Sequence, residues 1–185
     1  MYKNMLELSA HPNTRAILEA WKRLSQGDAR SLEGPMANDY PDLVGRLFII
    51  QRAAIQDYSF RVAGAGLEEL FGRELADHNF LSLWRPVDKL MVTAAIESAL
   101  QESSPSLLQA QGETLDGRSV KTEISFAPLD GLESARPRVL GLYQTLNDEG
   151  QLRGRPIWRH YATGVYPPKP RNTAPRIHLV ASNDL

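Results

Sequence analysis

The 185 residues contain no cysteine. That absence excludes disulfides, thiol nucleophiles and every zinc or iron–sulfur site that needs thiolate ligands, and it fits a reducing compartment. Long apolar runs are missing as well. No stretch approaches the roughly 18 residues of a membrane span, and Glu7, His11, Asn13 and Arg15 interrupt the first twenty residues, where a signal peptide would carry its apolar core. The expectation is a cytoplasmic protein without a membrane segment. Neither sign of charge is in excess, because 21 Lys and Arg stand against 22 Asp and Glu, a formal net charge of −1. No whole-molecule field then draws nucleic acid or anionic lipid, and such a partner would need a local patch. Histidine is scarce: His11, His78, His160 and His178 form no pair at metal-ligand spacing. No Gly-x-Ser-x-Gly elbow and no repeat at a longer period are present. What remains is an ordinary globular composition, 42% hydrophobic and 23% charged, in a length that suits one domain with tails.

The central stretch is 57–84. Tyr58, Phe60 and Val62 alternate with Ser59, Arg61 and Ala63, the period of a strand with one buried face. Gly64 and Gly66 allow a sharp turn, Leu67, Leu70 and Phe71 predict a short helix, and a second helical segment ends at Trp84. Gly64-Ala65-Gly66 after a strand invites a dinucleotide fingerprint, but Glu69 holds the third glycine position and no βαβ unit follows. Glu68 and Glu69, about 100° apart on a helix, cannot aim at one substrate and suit a solvated helix start.

Upstream, Ile17, Leu18, Trp21 and Leu24 form one stripe of a helix over 12–26, punctuated by Pro12 and Gly27. The stripe packs on its own domain or, through Ile17, Trp21 and Leu24, forms a dimer or partner contact. Residues 27–42 read as a loop and 43–54 as the first strand, with Leu47 to Ile50 as its buried run. Downstream, Pro86 opens a long helix to Ser103, with Val87, Leu90, Met91, Ala94 and Leu100 at helical spacing. Asp116-Gly117 is a strong hairpin signal between strands at 108–114 and 119–128. In the second, Val120, Thr122, Ile124 and Phe126 face the core while Lys121, Glu123 and Ser125 face water. The last strand spans 138–146.

The chain thus predicts an α+β fold, a five-stranded antiparallel sheet with helices on one face, preceded by an amphipathic helix. Its domain limits fall at 40–147, after an N-terminal helix and linker at 1–39 and before a basic, proline-rich tail at 148–185. Beyond residue 150 lie Arg153, Arg155, Arg159, Lys169, Arg171 and Arg176 against Asp184 alone. Trp158, Tyr161, Val165 and Tyr166 are too apolar for a pure linker, so that portion docks on the domain or on a partner. Arg153-Gly154-Arg155-Pro156 matches the core by which AT-hooks enter the minor groove. Leu152, Ile157 and Trp158 replace the further basic residues such a hook carries, and a solvated basic tail is the simpler reading.

The pattern of 43–52, Phe60-Arg61-Val62-Ala63-Gly64, Phe71-Gly72-Arg73-Glu74-Leu75, Trp84 and Arg138-Val139-Leu140-Gly141-Leu142 resembles a PAS sensory domain over about 40–146. In particular it is similar to the small stand-alone PAS proteins of bacteria that carry an extra N-terminal helix. The resemblance implies a non-enzymatic signalling module that holds a small apolar ligand or docks on a signalling protein such as a histidine kinase, or on a second copy of itself. It implies pocket walls at Phe60, Phe71, His78, Phe80, Trp84, Ile124, Phe126 and Leu142, although core packing alone accounts for aromatic positions at these periods. Without cysteine, the cysteinyl-flavin photochemistry of some relatives is excluded. Others bind haem through a histidine of the long helix, and 86–103 contains none. A ligand sensor, a docking adaptor, a DNA-associated regulator using the tail and a small cavity-bearing enzyme are the readings left open.

Overall fold

The structure is a computed structural model that describes residues 10–25 and 41–168. Most of the expected 27–42 loop, and Lys169, Arg171, Arg176 and His178 of the tail, lie outside the described residues.

Six strands form one antiparallel sheet: β1 (Leu47–Ala54), β2 (Asp57–Ala63), β3 (Ser106–Thr114), β4 (Ser119–Pro128), β5 (Arg138–Thr145) and β6 (Ile157–Tyr166), in the spatial order β2-β1-β5-β4-β3-β6. The sixth strand corrects the expected five. β6 pairs with β3 from Leu107↔Tyr166 to Thr114↔Ile157, so the portion assigned to a tail completes the sheet.

Helices α1 (Pro12–Ser25), α2 (Pro41–Val44), α3 (Ala65–Phe71) and α4 (Lys89–Glu102) surround it, with 3₁₀ turns at Phe80–Leu83, Pro86–Asp88 and Glu149–Leu152. On the inner face, Phe48, Ile50, Tyr58, Phe60, Leu108, Val120, Ile124, Phe126 and Val139 meet α3, the Phe80–Leu83 turn and α4 in one apolar core. Close packing fixes some of these positions. A Cβ on Gly141 would lie 2.0 Å from the Phe48 ring, so only a glycine lets that ring lie flat on β5.

Three patterns differ from the sequence reading. In α4 the buried residues are Val92, Thr93, Ala95, Ile96, Ala99 and Leu100. Of the stripe read from sequence only Leu100 is buried, and Val87 and Leu90 are 76% and 69% exposed. The helix is apolar on nearly every side, so several stripes fit its sequence equally well. In β2, a register shift opposite Ile49 and Ile50 leaves Arg61 without a cross-strand partner and turns Val62 outward, while Ala63 joins the core. In β4, Glu123 and Ser125 are buried although they face away from the core.

The cover over that outer face is α1. Ile17 packs with Leu43 and Leu142, flanked by Leu47 and Leu140. The His11 N–H donates to Glu123 Oε1 at 3.0 Å, Asn13 Nδ2 donates to Gln144 Oε1 at 2.9 Å, and Trp21 Nε1 donates to the Pro128 carbonyl at 2.7 Å. A carboxylate at the helix start satisfies a backbone donor that the helix leaves open and also complements its dipole.

Candidate functional site

The space between the sheet and its helices has an aromatic half and a polar corner. In the aromatic half, Phe48 and Phe80 stack with centroids 5.5 Å apart, and Phe126 stands edge-on to both at 6.4 and 5.6 Å. Phe60 touches the same pair at 5.7 and 5.6 Å, and Trp84 lies 5.9 Å from Phe80. These separations are ring-on-ring contact. A planar cofactor would need the volume these rings fill.

The polar corner is built by β5 and β6 beneath α3 and Trp84. His160 and Tyr143 are buried there, and the Tyr143 hydroxyl lies 2.7 Å from His160 Nε2. His160 Nδ1 is 3.2 Å from the Leu83 carbonyl. Because a carbonyl only accepts, Nδ1 carries the proton and Nε2 accepts from Tyr143. Burial lowers the His160 pKa to about 4 and raises that of Tyr143, so both are neutral near pH 7. Trp84 and Phe71 cover the imidazole at 5.0 and 5.4 Å. Gly112 closes the floor, where a Cβ would meet Tyr143 Oη at 3.1 Å and His160 Nε2 at 3.2 Å. Thr122 stands beside the Tyr143 hydroxyl, yet its Oγ1 makes no well-formed hydrogen bond. Trp84 Nε1 and Thr93 Oγ1 are likewise buried without a partner among the described residues.

A second network ties α4 to the sheet. Glu97 accepts from the Tyr58 hydroxyl at 2.5 Å and from Arg52 Nε at 2.7 Å. The hydrogen bond to Glu97 raises the Arg52 pKa, and burial leads the upward shift of Tyr58.

A family pattern described as PAS domain matches residues 9–144. The chain belongs to the PAS domain family. No curated protein matches it. Similar solved structures include a Rhodobacter sphaeroides LOV protein, with a TM-score of 0.45 and 16% identity over 57% of this chain and 61% of that one. The PAS domain of a protein from Colwellia psychrerythraea has a TM-score of 0.42 and 15% identity over 60% and 97%. Drosophila melanogaster Cycle PAS-B with bound ethylene glycol has 0.43 and 9% over 54% and 99%. The chain spans less than two thirds of the Rhodobacter protein.

Within this PAS domain, six of the eight expected wall residues, Phe60, Phe71, Phe80, Trp84, Ile124 and Phe126, share the inner core. Leu142 does not, because it points to the outer face against Ile17. His78 is exposed, its Nδ1 3.0 Å from the Ala76 carbonyl, since it follows the turn that returns the chain beneath β2. His160, Tyr143 and Thr122 complete the polar corner. His160 escaped notice as a lone histidine in a stretch read as tail, and the register shift of β6 beside Trp158 hides the alternation that would mark a strand.

The partner contacts expected on α1 are redistributed. Ile17 and Trp21 engage their own sheet, and only Leu24 is exposed. Arg153-Gly154-Arg155-Pro156 is a tight turn into β6. Arg153 and Gly154 both have positive φ, the Arg155 N–H donates to the Leu152 carbonyl, and Pro156 lies against Gly72. In the folded chain this tetrapeptide is therefore a turn and not an extended segment. Among the described residues no group of His, Asp or Glu is arranged to hold a metal ion, and no helix is long and apolar enough to cross a membrane.

Proposed function

We propose that this PAS domain is a non-enzymatic regulatory module that passes its signal by docking on another signalling protein. PAS domains are general sensor and signalling modules. The observation that carries the docking version is the packed interior: Phe60, Trp84 and Phe126 are each in ring contact with Phe80, while Val87, Leu90, Met91 and Ala94 of the helical layer face outward. Apolar side chains at i, i+3, i+4 and i+7 are the pattern by which helices meet partners. Native mass spectrometry of the full-length protein should give a mass with no small molecule retained, together with a co-purifying protein that is lost in Leu90→Glu. A molecule that is retained reproducibly and lost in Trp84→Phe, and is therefore held in the interior, would overturn this version.

The ligand-sensing version rests on a separate observation, the buried Trp84 Nε1, Thr93 Oγ1 and Thr122 Oγ1 without partners. Each such group costs about 1–3 kcal/mol, and a small polar ligand or water would satisfy it. Under that version Trp84→Phe, which keeps the ring and removes the donor, weakens retention of the bound molecule.

A further inference from the structure

A cavity of about 320 Å³ opens on the outer side of the sheet, where β1 and β2 meet the loop before β5. Gln51, Arg52, Ser59, Arg61 and Arg136 supply its polar lining, and two alanines complete it. The volume is at the small end of the range for ligand pockets, about 300–1,000 Å³.

Its walls are held from both sides. Gln51 and Ser59 are direct cross-strand partners, and the register shift beside them leaves Arg61 unpaired. The Arg61 side chain lies back over the strand pair, with Nε donating to Gln51 Oε1 at 2.6 Å and Nη1 to Asp77 Oδ1 at 2.7 Å. Across the cavity, the Arg52 N–H donates to the Pro137 carbonyl at 2.8 Å, and Arg138 grips Asp130 through Nε and Nη2 at 2.7 and 3.2 Å.

The lining is rich in donors and contains no carboxylate. Arg52 is balanced by Glu97 and Arg61 by Asp77. The Arg136 guanidinium and the Ser59 hydroxyl have no partner among the described residues, and the Gln51 amide nitrogen and Arg61 Nη2 donate to nothing there. A net positive charge with several unused N–H and O–H groups around one concavity is the complement of an oxyanion, whose oxygens match the planar guanidinium fork.

We propose that this cavity binds a small metabolite bearing a phosphate or carboxylate, held between Arg61 and Arg136 with Ser59 and Gln51 on its oxygens. Arg52 lines the same cavity and contacts Glu97 of α4 through its Nε.

Isothermal titration calorimetry of the full-length protein with pyrophosphate and, separately, citrate tests the site. Saturation by either probe at one site per chain is expected, and the stronger of the two assigns the headgroup class. Arg136→Gln should weaken binding about tenfold and Ser59→Ala about threefold, roughly what one charge-assisted and one neutral contact contribute. Arg136 is exposed and Ser59 half-buried with no side-chain hydrogen bond among the described residues, so both changes leave the unfolding midpoint in place, which a thermal melt checks. Arg23→Gln, on the exposed side of α1, removes the same charge at a distance and should leave binding unchanged. No saturation by either probe, or an equal loss in Arg23→Gln and Arg136→Gln, overturns the proposal.

Discussion

At the scale of single residues, His160 shows how burial sets chemistry. Its pKa falls to about 4 from an ordinary 6.5 because the ring is enclosed by Trp84, Phe71 and Tyr143. Between those values the unfolded chain binds a proton that the folded chain refuses, so stability rises with pH across the window. The contribution is complete above about pH 6.5 and is lost as pH falls toward 4, a change of roughly 2–3 kcal/mol. Urea unfolding from pH 7 to 4 should reveal this slope. His160→Gln, which keeps hydrogen-bonding ends but does not titrate there, should flatten it relative to the native chain. If the two slopes coincide, His160 is not the group responsible. Gly141 makes a complementary steric point. Gly141→Ala forces a methyl into the Phe48 ring, where atoms would sit 2.0–2.5 Å apart, and should cost at least about 2 kcal/mol of stability. Neither property was legible in sequence. A glycine inside Arg-Val-Leu-Gly-Leu reads as a weak strand position, and only the ring across from it explains why it is there.

Among the elements, α1 and α4 mark what periodicity can and cannot deliver. The stripe of α1 was legible because charged residues bracket it, and Ile17 is buried as that stripe requires. Its docking partner was not, because the deciding residue, Glu123, sits in a strand where alternation assigns it to water. Covering by the start of a helix, with His11 bonded to Glu123 across 112 positions of sequence, overrides that local pattern. In α4 the ambiguity runs the other way: alanines, leucines, a valine, an isoleucine and a methionine surround the axis, and tertiary contacts, among them the hydrogen bonds of Tyr58 and Arg52 to Glu97, accompany the buried face that forms. Glu123→Ala removes the acceptor at the start of α1. Hydrogen exchange should then speed up in Pro12–Ser25 while β3 and β4 keep their protection, with a stability loss of about 1–2 kcal/mol. Unchanged exchange in α1 would mean that Ile17 and Trp21 hold the helix without help.

For the molecule as a whole, the question is where the folded unit ends. The family match stops at residue 144 and the sequence places a tail after 147, yet β6 contributes Ile157 to the core and His160 to the polar corner. Its removal would leave the Tyr143 hydroxyl, the Leu83 carbonyl and the Arg85 N–H without the partners they have in the folded chain. It would also turn β3 into an open edge, the kind of surface that pairs with other chains. The bulges that interrupt β6 between Gln109/Ala110 and Glu113/Thr114 of its neighbour spoil its own outer edge for such pairing. Losing the strand should therefore remove several kcal/mol from a stability that for domains of this size totals about 5–15 kcal/mol. A chain ending at residue 147 should melt without a sharp transition and self-associate, whereas one ending at Pro168 should unfold cooperatively, as circular dichroism and light scattering would read. If the shorter chain melts as cooperatively and as late as the longer one, β6 is an appendage, and the family boundary is also the physical one.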